Sequence, residues 1–176
     1  MNDPWAPDLA PLAREILAGA LVPGAATLPL LWLVQDRRGW ISDEALAWVA
    51  GSTGRSLAQV EAVVSFYSMF RRAPAGRWVI EVCRTLSCEL AGAPRLLAHL
   101  EDRLGVRAGE TTPDGAFTLL AVECLASCGS GPVLHVNGIP FERVTPERAD
   151  ALLDALREDR LPERPEADLW TWPPAS

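Results

Sequence analysis

The chain has 176 residues, 49% hydrophobic and 22% charged, with a net charge of −7. That suits a globular chain of one domain with a sizeable extension, or two small domains, and not a low-complexity chain. An acidic chain lacks the basic surface that phosphate backbones demand, which argues against nucleic-acid binding.

The opening Met1-Asn2-Asp3-Pro4 has no basic run and no cleavage signal, so no secretory leader is expected. Residues 8–72 read as helical. Leu9, Leu12, Ile16 and Leu17 recur at helical spacing. Residues 16–35 carry no charge and are nominally long enough to span a bilayer. Gly19, Pro23, Gly24 and Pro29 interrupt them, and Pro23-Gly24 reads as a turn, so a buried helical hairpin is expected instead. Thr27 should cap a second helix that Gly39 ends. Ser42 should cap a third, with Ile41 stapled onto Leu46; Gly51 and Gly54 should break it. Ser56-Leu-Ala-Gln59 is a capping box for a fourth helix, lined by Val60, Val63, Val64 and Tyr67. Four such helices make a small bundle over residues 1–73.

The pattern changes at Pro74-Ala-Gly76. Residues 78–82 read as a strand running into Cys83, residues 89–104 as a helix, and residues 117–122 as a strand leading to Cys124. Asn137-Gly138 is a hairpin signal between residues 132–136 and 139–142. Thr145-Pro146 opens a last helix, with proline at its first position. The order β-α-β-β-β-α over residues 74–160 suggests an α/β sandwich, so the fold class expected is α+β. Residues 161–176, rich in proline and carrying Trp170 and Trp172, form a tail without periodicity. Those tryptophans are expected to bury against a partner or to be left disordered.

Four cysteines are present, as Cys83-Arg-Thr-Leu-Ser-Cys88 and Cys124-Leu-Ala-Ser-Cys128. Two thiolate pairs are what a [2Fe–2S] core takes, two sulfurs to each iron. Structural zinc favours tighter C-x2-C knuckles. A disulfide framework suits small secreted chains. Inert buried thiols remain an alternative, but these are paired and expected in loops. Both pairs fall at strand ends, where open α/β sheets gather ligands, which favours the cluster. His99 and His135 are not interleaved with the cysteines as Rieske ligation requires. Gly51-Ser-Thr-Gly54 follows no strand, so no nucleotide loop is expected. A thiol–disulfide oxidoreductase would need a C-x2-C motif, which is missing.

Three readings stay open. Arg84 either raises the potential beside Cys83 or faces solvent or a partner. The glycines of Cys128-Gly-Ser-Gly-Pro132 either free amides to point at sulfur or permit a tight turn. Phe66, Tyr67, Met69 and Phe70 are either bundle core or a docking patch.

Leu33-Val-Gln-Asp36 with Gly39-Trp-Ile-Ser42, Val64-Ser-Phe-Tyr-Ser-Met-Phe70, Gly109-Glu-Thr-Thr-Pro-Asp-Gly115 and the two cysteine pairs in order together resemble a known family. It is the small [2Fe–2S] subunit of NADH:quinone oxidoreductase (complex I), with the related gamma subunits of NAD-dependent formate dehydrogenases and small subunits of NAD-linked hydrogenases. The likeness runs over residues 10–157. It implies an N-terminal helical bundle followed by a thioredoxin-like ferredoxin domain, and Cys83, Cys88, Cys124 and Cys128 as ligands of one [2Fe–2S] cluster. It implies an electron-transfer subunit, with FMN and NADH on a larger flavoprotein partner and further iron–sulfur subunits beyond. The cluster would lie near the flavin and off the main electron chain, in a complex at the cytoplasmic side of the membrane, with no span in this chain. A zinc-stabilised interaction module is the remaining alternative. Arg84 looks more like the formate dehydrogenase branch. Ala126 replaces a common glycine, and Gly131 a frequent alanine.

Overall fold

The computed structural model describes residues 6–160. Trp170, Trp172 and the rest of the expected tail lie outside them. The chain divides into two compact units between Pro74 and Ala75.

The first unit is all helical: α1 (Ala10–Gly19), α2 (Thr27–Arg38), α3 (Asp43–Thr53) and α4 (Leu57–Phe66), with a 3-10 turn at Pro23–Ala26 between α1 and α2. Residues 16–35 are therefore two helices and a bend. Leu21 and Val22 are exposed in that bend, so the hairpin is buried only along its helices. No helix among the described residues is long and apolar enough to cross a membrane.

Thr27 does not cap α2. It is the helix's first residue, and its hydroxyl donates back to the Gly24 carbonyl at 2.8 Å, inside the preceding turn. Gly39 ends α2 at φ 81°, a left-handed conformation that costs glycine little. Ser42 caps α3 by accepting from the Ala45 amide at 3.2 Å, and Ile41 and Leu46 are both buried, as a staple requires. Gly51 leaves α3 unbroken, because one glycine costs a helix only about 1 kcal/mol. The helix ends at Gly54, φ 68°. The Ser56–Gln59 capping box forms in both directions. Replacing Ser56 with alanine should cost about 1 kcal/mol in chemical denaturation, with Ser56→Asn nearly neutral.

Leu9, Leu30, Leu31, Val34, Ile41 and Val60 fill this core. Buried Gln35 donates to the Met69 carbonyl at 2.9 Å and accepts from the Arg71 amide at 2.8 Å, tying down the chain after α4. Tyr67 falls just past the end of α4 and not within it. The aromatic run is split. Phe70 is buried against Trp32, with ring centroids 5.4 Å apart, while Phe66 stands 79% exposed.

The second unit runs β1 (Trp78–Cys83), α5 (Leu86–Leu90), α6 (Ala93–Leu104), β2 (Phe117–Val122), β3 (Leu134–Val136), β4 (Ile139–Phe141) and α7 (Pro146–Arg157). The helix expected over 89–104 is split at Gly92, φ 100°. Cys88 consequently sits inside short α5 and not in a loop. The sheet order is β2-β1-β3-β4. β1 and β2 are parallel; β1–β3 and β3–β4 are antiparallel. Asn137 and Gly138 both adopt positive φ, as the hairpin signal requires. The Asn137 side chain also accepts from the Val79 amide at 2.8 Å and donates to the Arg77 carbonyl at 3.0 Å, extending β1 by its own amide group.

Ile80, Leu119, Leu134 and Val136 of the sheet share one core with Leu96 and Leu100 of α6 and Leu153 and Leu156 of α7. The Trp78 indole N–H donates to the Leu156 carbonyl at 3.0 Å, fixing the end of α7. Gly76 lies against β2: a Cβ there would stand 2.7 Å from the carbonyl carbon of Phe117. Because the obstacle is backbone, Gly76→Ala should destabilise by about 1–3 kcal/mol, measurable as a lowered denaturation midpoint.

Candidate functional site

Parallel pairing decides where the cysteines meet. β1 and β2 run the same way with Cys83 opposite Val122, so both strands end at one edge of the sheet. Cys83 is the last residue of β1. Cys124 follows β2 by two positions, and Cys128 opens a 3-10 turn. All four expected site residues are thus brought to this edge.

All four thiols are free. Cys83 and Cys88 are buried; Cys124 and Cys128 are exposed, with their sulfurs 3.5 Å apart. Val133, Ala93 and Leu125 pack around the buried pair. The Thr85 hydroxyl lies 3.3 Å from the Cys83 sulfur. The amides of Thr85 and Leu125 also reach Cys83, so the second cysteine loop folds onto the first pair. The Val133 amide reaches Cys88. The Ala126 amide, in a residue at φ 64°, meets the Cys124 sulfur at 3.4 Å.

These donors divide each pair. Burial is the largest influence on Cys83 and pushes it up, but the Thr85 hydroxyl and the two amides outweigh it and hold the thiol below its ordinary value. Burial, then the neighbouring Cys83, pushes Cys88 up to about 11. Cys124 is lowered by the Ala126 amide and then by Cys128; Cys128 is raised by Cys124. Within each pair one thiol is therefore lowered and its neighbour raised, and metal binding would require all four to lose their protons.

The donor set is all sulfur. His99 is held on α6 by Asp150 of α7, which Arg103 also engages. His135 lies on β3, its pKa lowered by burial. Neither joins the cysteines. Among the described residues, no three His, Cys, Asp or Glu side chains converge tightly enough to hold a bare metal ion. Zinc needs four ligands around one point at about 2.3 Å. A binuclear iron–sulfur core takes thiolates two by two at separated irons. Two neighbouring thiol pairs fit the second demand.

Several site features were not legible in the sequence. Thr85 and Leu125 carry no motif. Amides that meet sulfur come from Thr85, Leu125, Ala126 and Val133. Gly131 is small for packing: a Cβ there would stand 3.0 Å from that of Ala91 and 3.5 Å from the Cys88 sulfur. Arg84 is neither free nor a lone tuning charge, because Glu123 holds it at 2.6 Å.

A family model described as thioredoxin-like [2Fe–2S] ferredoxin matches residues 13–157. A Thermus thermophilus protein named NADH-quinone oxidoreductase subunit 2 is 46% identical over 134 residues, covering 76% of this chain and 74% of its own. A Mycobacterium tuberculosis protein, also named as a subunit of NADH-quinone oxidoreductase, is 40% identical over 147 residues, covering 84% of this chain but 58% of its own. Among solved structures, an NAD+-reducing [NiFe]-hydrogenase in its air-oxidised state superposes with a TM-score of 0.65 at 25% identity. That match covers 81% of this chain and 24% of the hydrogenase chain.

Proposed function

The chain belongs to the thioredoxin-like [2Fe–2S] ferredoxin family, and on that footing we propose that Cys83, Cys88, Cys124 and Cys128 hold one [2Fe–2S] cluster in an electron-transfer subunit of NADH:quinone oxidoreductase. The observation that carries this is the parallel β1–β2 pair, which delivers two thiol pairs to one sheet edge. When bound, the cluster supplies one-electron redox chemistry. The chain's own residues do the rest. Cys83 and Cys88 anchor the buried side, and Cys124 and Cys128 face outward. The amides of Thr85, Leu125, Ala126 and Val133 stabilise negative charge on sulfur. Val133, Ala93 and Leu125 keep water from the buried pair.

NADH delivers electrons in pairs, so a flavin must stand between it and a one-electron carrier. We place FMN and NADH on a flavoprotein partner, with further iron–sulfur subunits beyond, in an assembly at the cytoplasmic face of the membrane. We read residues 1–73 and 74–160 as two domains, and 161–176 as a tail. A second reading is the gamma subunit of an NAD-dependent formate dehydrogenase or hydrogenase; the superposition with an NAD+-reducing [NiFe]-hydrogenase supports its hydrogenase branch. A zinc-stabilised interaction module is disfavoured by the cysteine spacing, C-x4-C and C-x3-C, which is wider than the C-x2-C knuckle that structural zinc favours.

The isolated chain should not oxidise NADH with an artificial acceptor. Co-purified with an FMN-binding flavoprotein partner, its S = 1/2 signal should appear on adding NADH. Turnover by the flavin-free chain, or a silent signal in the flavin-loaded complex, would overturn the assignment.

A further inference from the structure

Arg84 directly follows the first ligand, Cys83, and Glu123 directly precedes the third, Cys124. The parallel ladder pairs Cys83 with Val122, and the Arg84 amide continues it by donating to the Val122 carbonyl at 2.9 Å. Arg84 and Glu123 therefore leave the two strands side by side. The guanidinium closes on the carboxylate through Nε at 3.1 Å and Nη2 at 2.6 Å, both to Oε1. The side chains are 61% and 72% exposed, so water screens the pair and it stabilises the fold only slightly. Its position matters more than its strength: it joins the two segments that bear the cysteines, with one charge beside each pair.

We propose that Arg84 and Glu123 are a matched charge pair that sets the net charge at the mouth of the thiol site, so that the potential at which the site accepts an electron depends on both residues in opposite senses. This rests on the reading that the four cysteines hold a cluster. Reduction adds one negative charge there. A nearby cation favours that and a nearby anion opposes it. Held together, the two charges largely cancel at the sulfurs. Removing either one leaves the other acting alone.

The test is a redox titration of the full chain with its cluster assembled anaerobically, followed by visible and electron paramagnetic resonance spectra. Arg84→Gln should shift the potential negative, because Glu123 is left unmatched. Glu123→Gln should shift it positive. The double variant should return close to the parent, and high salt should shrink both single shifts. A strut without electrostatic effect gives a different pattern, since both single variants lose the same contact and would move the potential together or not at all. Either of those outcomes overturns the proposal. If the single variants hold no cluster, the reversed pair, Arg84→Glu with Glu123→Arg, decides. A loaded site at the parent's potential supports the proposal, and an empty one overturns it. A parent chain that takes no cluster sinks the underlying reading and this inference with it. A loaded parent with unmoved variants sinks this inference alone.

Discussion

Cys124→Ala should abolish the visible chromophore of the anaerobically purified chain and leave the fold intact. Cys124 is exposed, so its sulfur contributes little to packing. It is also the thiol that the Ala126 amide lowers. Without it only Cys83, Cys88 and Cys128 would remain to hold the cluster, one thiolate short of the four it takes. Cys88→Ala should bleach the protein equally but weaken it as well. Cys88 is 2% exposed among Val133 and Ala93, and its deletion leaves a small void that costs on the order of 1 kcal/mol. Visible absorbance alongside far-ultraviolet circular dichroism separates the two effects. A Cys124→Ala protein that keeps the parent's spectrum would remove it from the ligand set.

Ile80→Ala should be the most damaging single truncation in the second unit. Ile80 is fully buried in the middle of β1, opposite Leu119 on one side and Val136 on the other. Truncating such a residue loses its transfer free energy and leaves a cavity, together about 2–5 kcal/mol. Domains of this size hold only about 5–15 kcal/mol in reserve. Since β1 runs directly into Cys83, loosening it should release the cluster before global unfolding. Chemical denaturation followed at both visible and far-ultraviolet wavelengths should show the visible transition first. A cost below about 1 kcal/mol would mean that the sheet core is not packed as described.

What the sequence disclosed was local. The Ser56–Gln59 capping box, the Gly39 stop, the Asn137-Gly138 hairpin and the Thr145-Pro146 start are each decided within a few residues, and each stands where expected. The four cysteines were legible for the same reason, because spacing alone marks them. The failures were contests that tertiary packing decides. Gly51 is tolerated in α3, whereas Gly92 breaks a helix of good periodicity. Thr27 spends its hydroxyl on a turn that periodicity does not reveal. The partnership of Arg84 with Glu123 spans 39 positions and exists only because β1 and β2 are parallel and in register. The amides around the sulfurs are invisible in any sequence, since every residue but proline has one. What distinguishes Thr85, Leu125, Ala126 and Val133 is where the backbone turns.

Two thiol pairs at one sheet edge should hold a binuclear iron–sulfur cluster. Metal and acid-labile sulfide analysis of the anaerobically purified full chain is the decisive assay. About two irons and about two sulfides per chain are expected, with an S = 1/2 resonance on one-electron reduction. Stoichiometric zinc without iron or sulfide would refute the cluster.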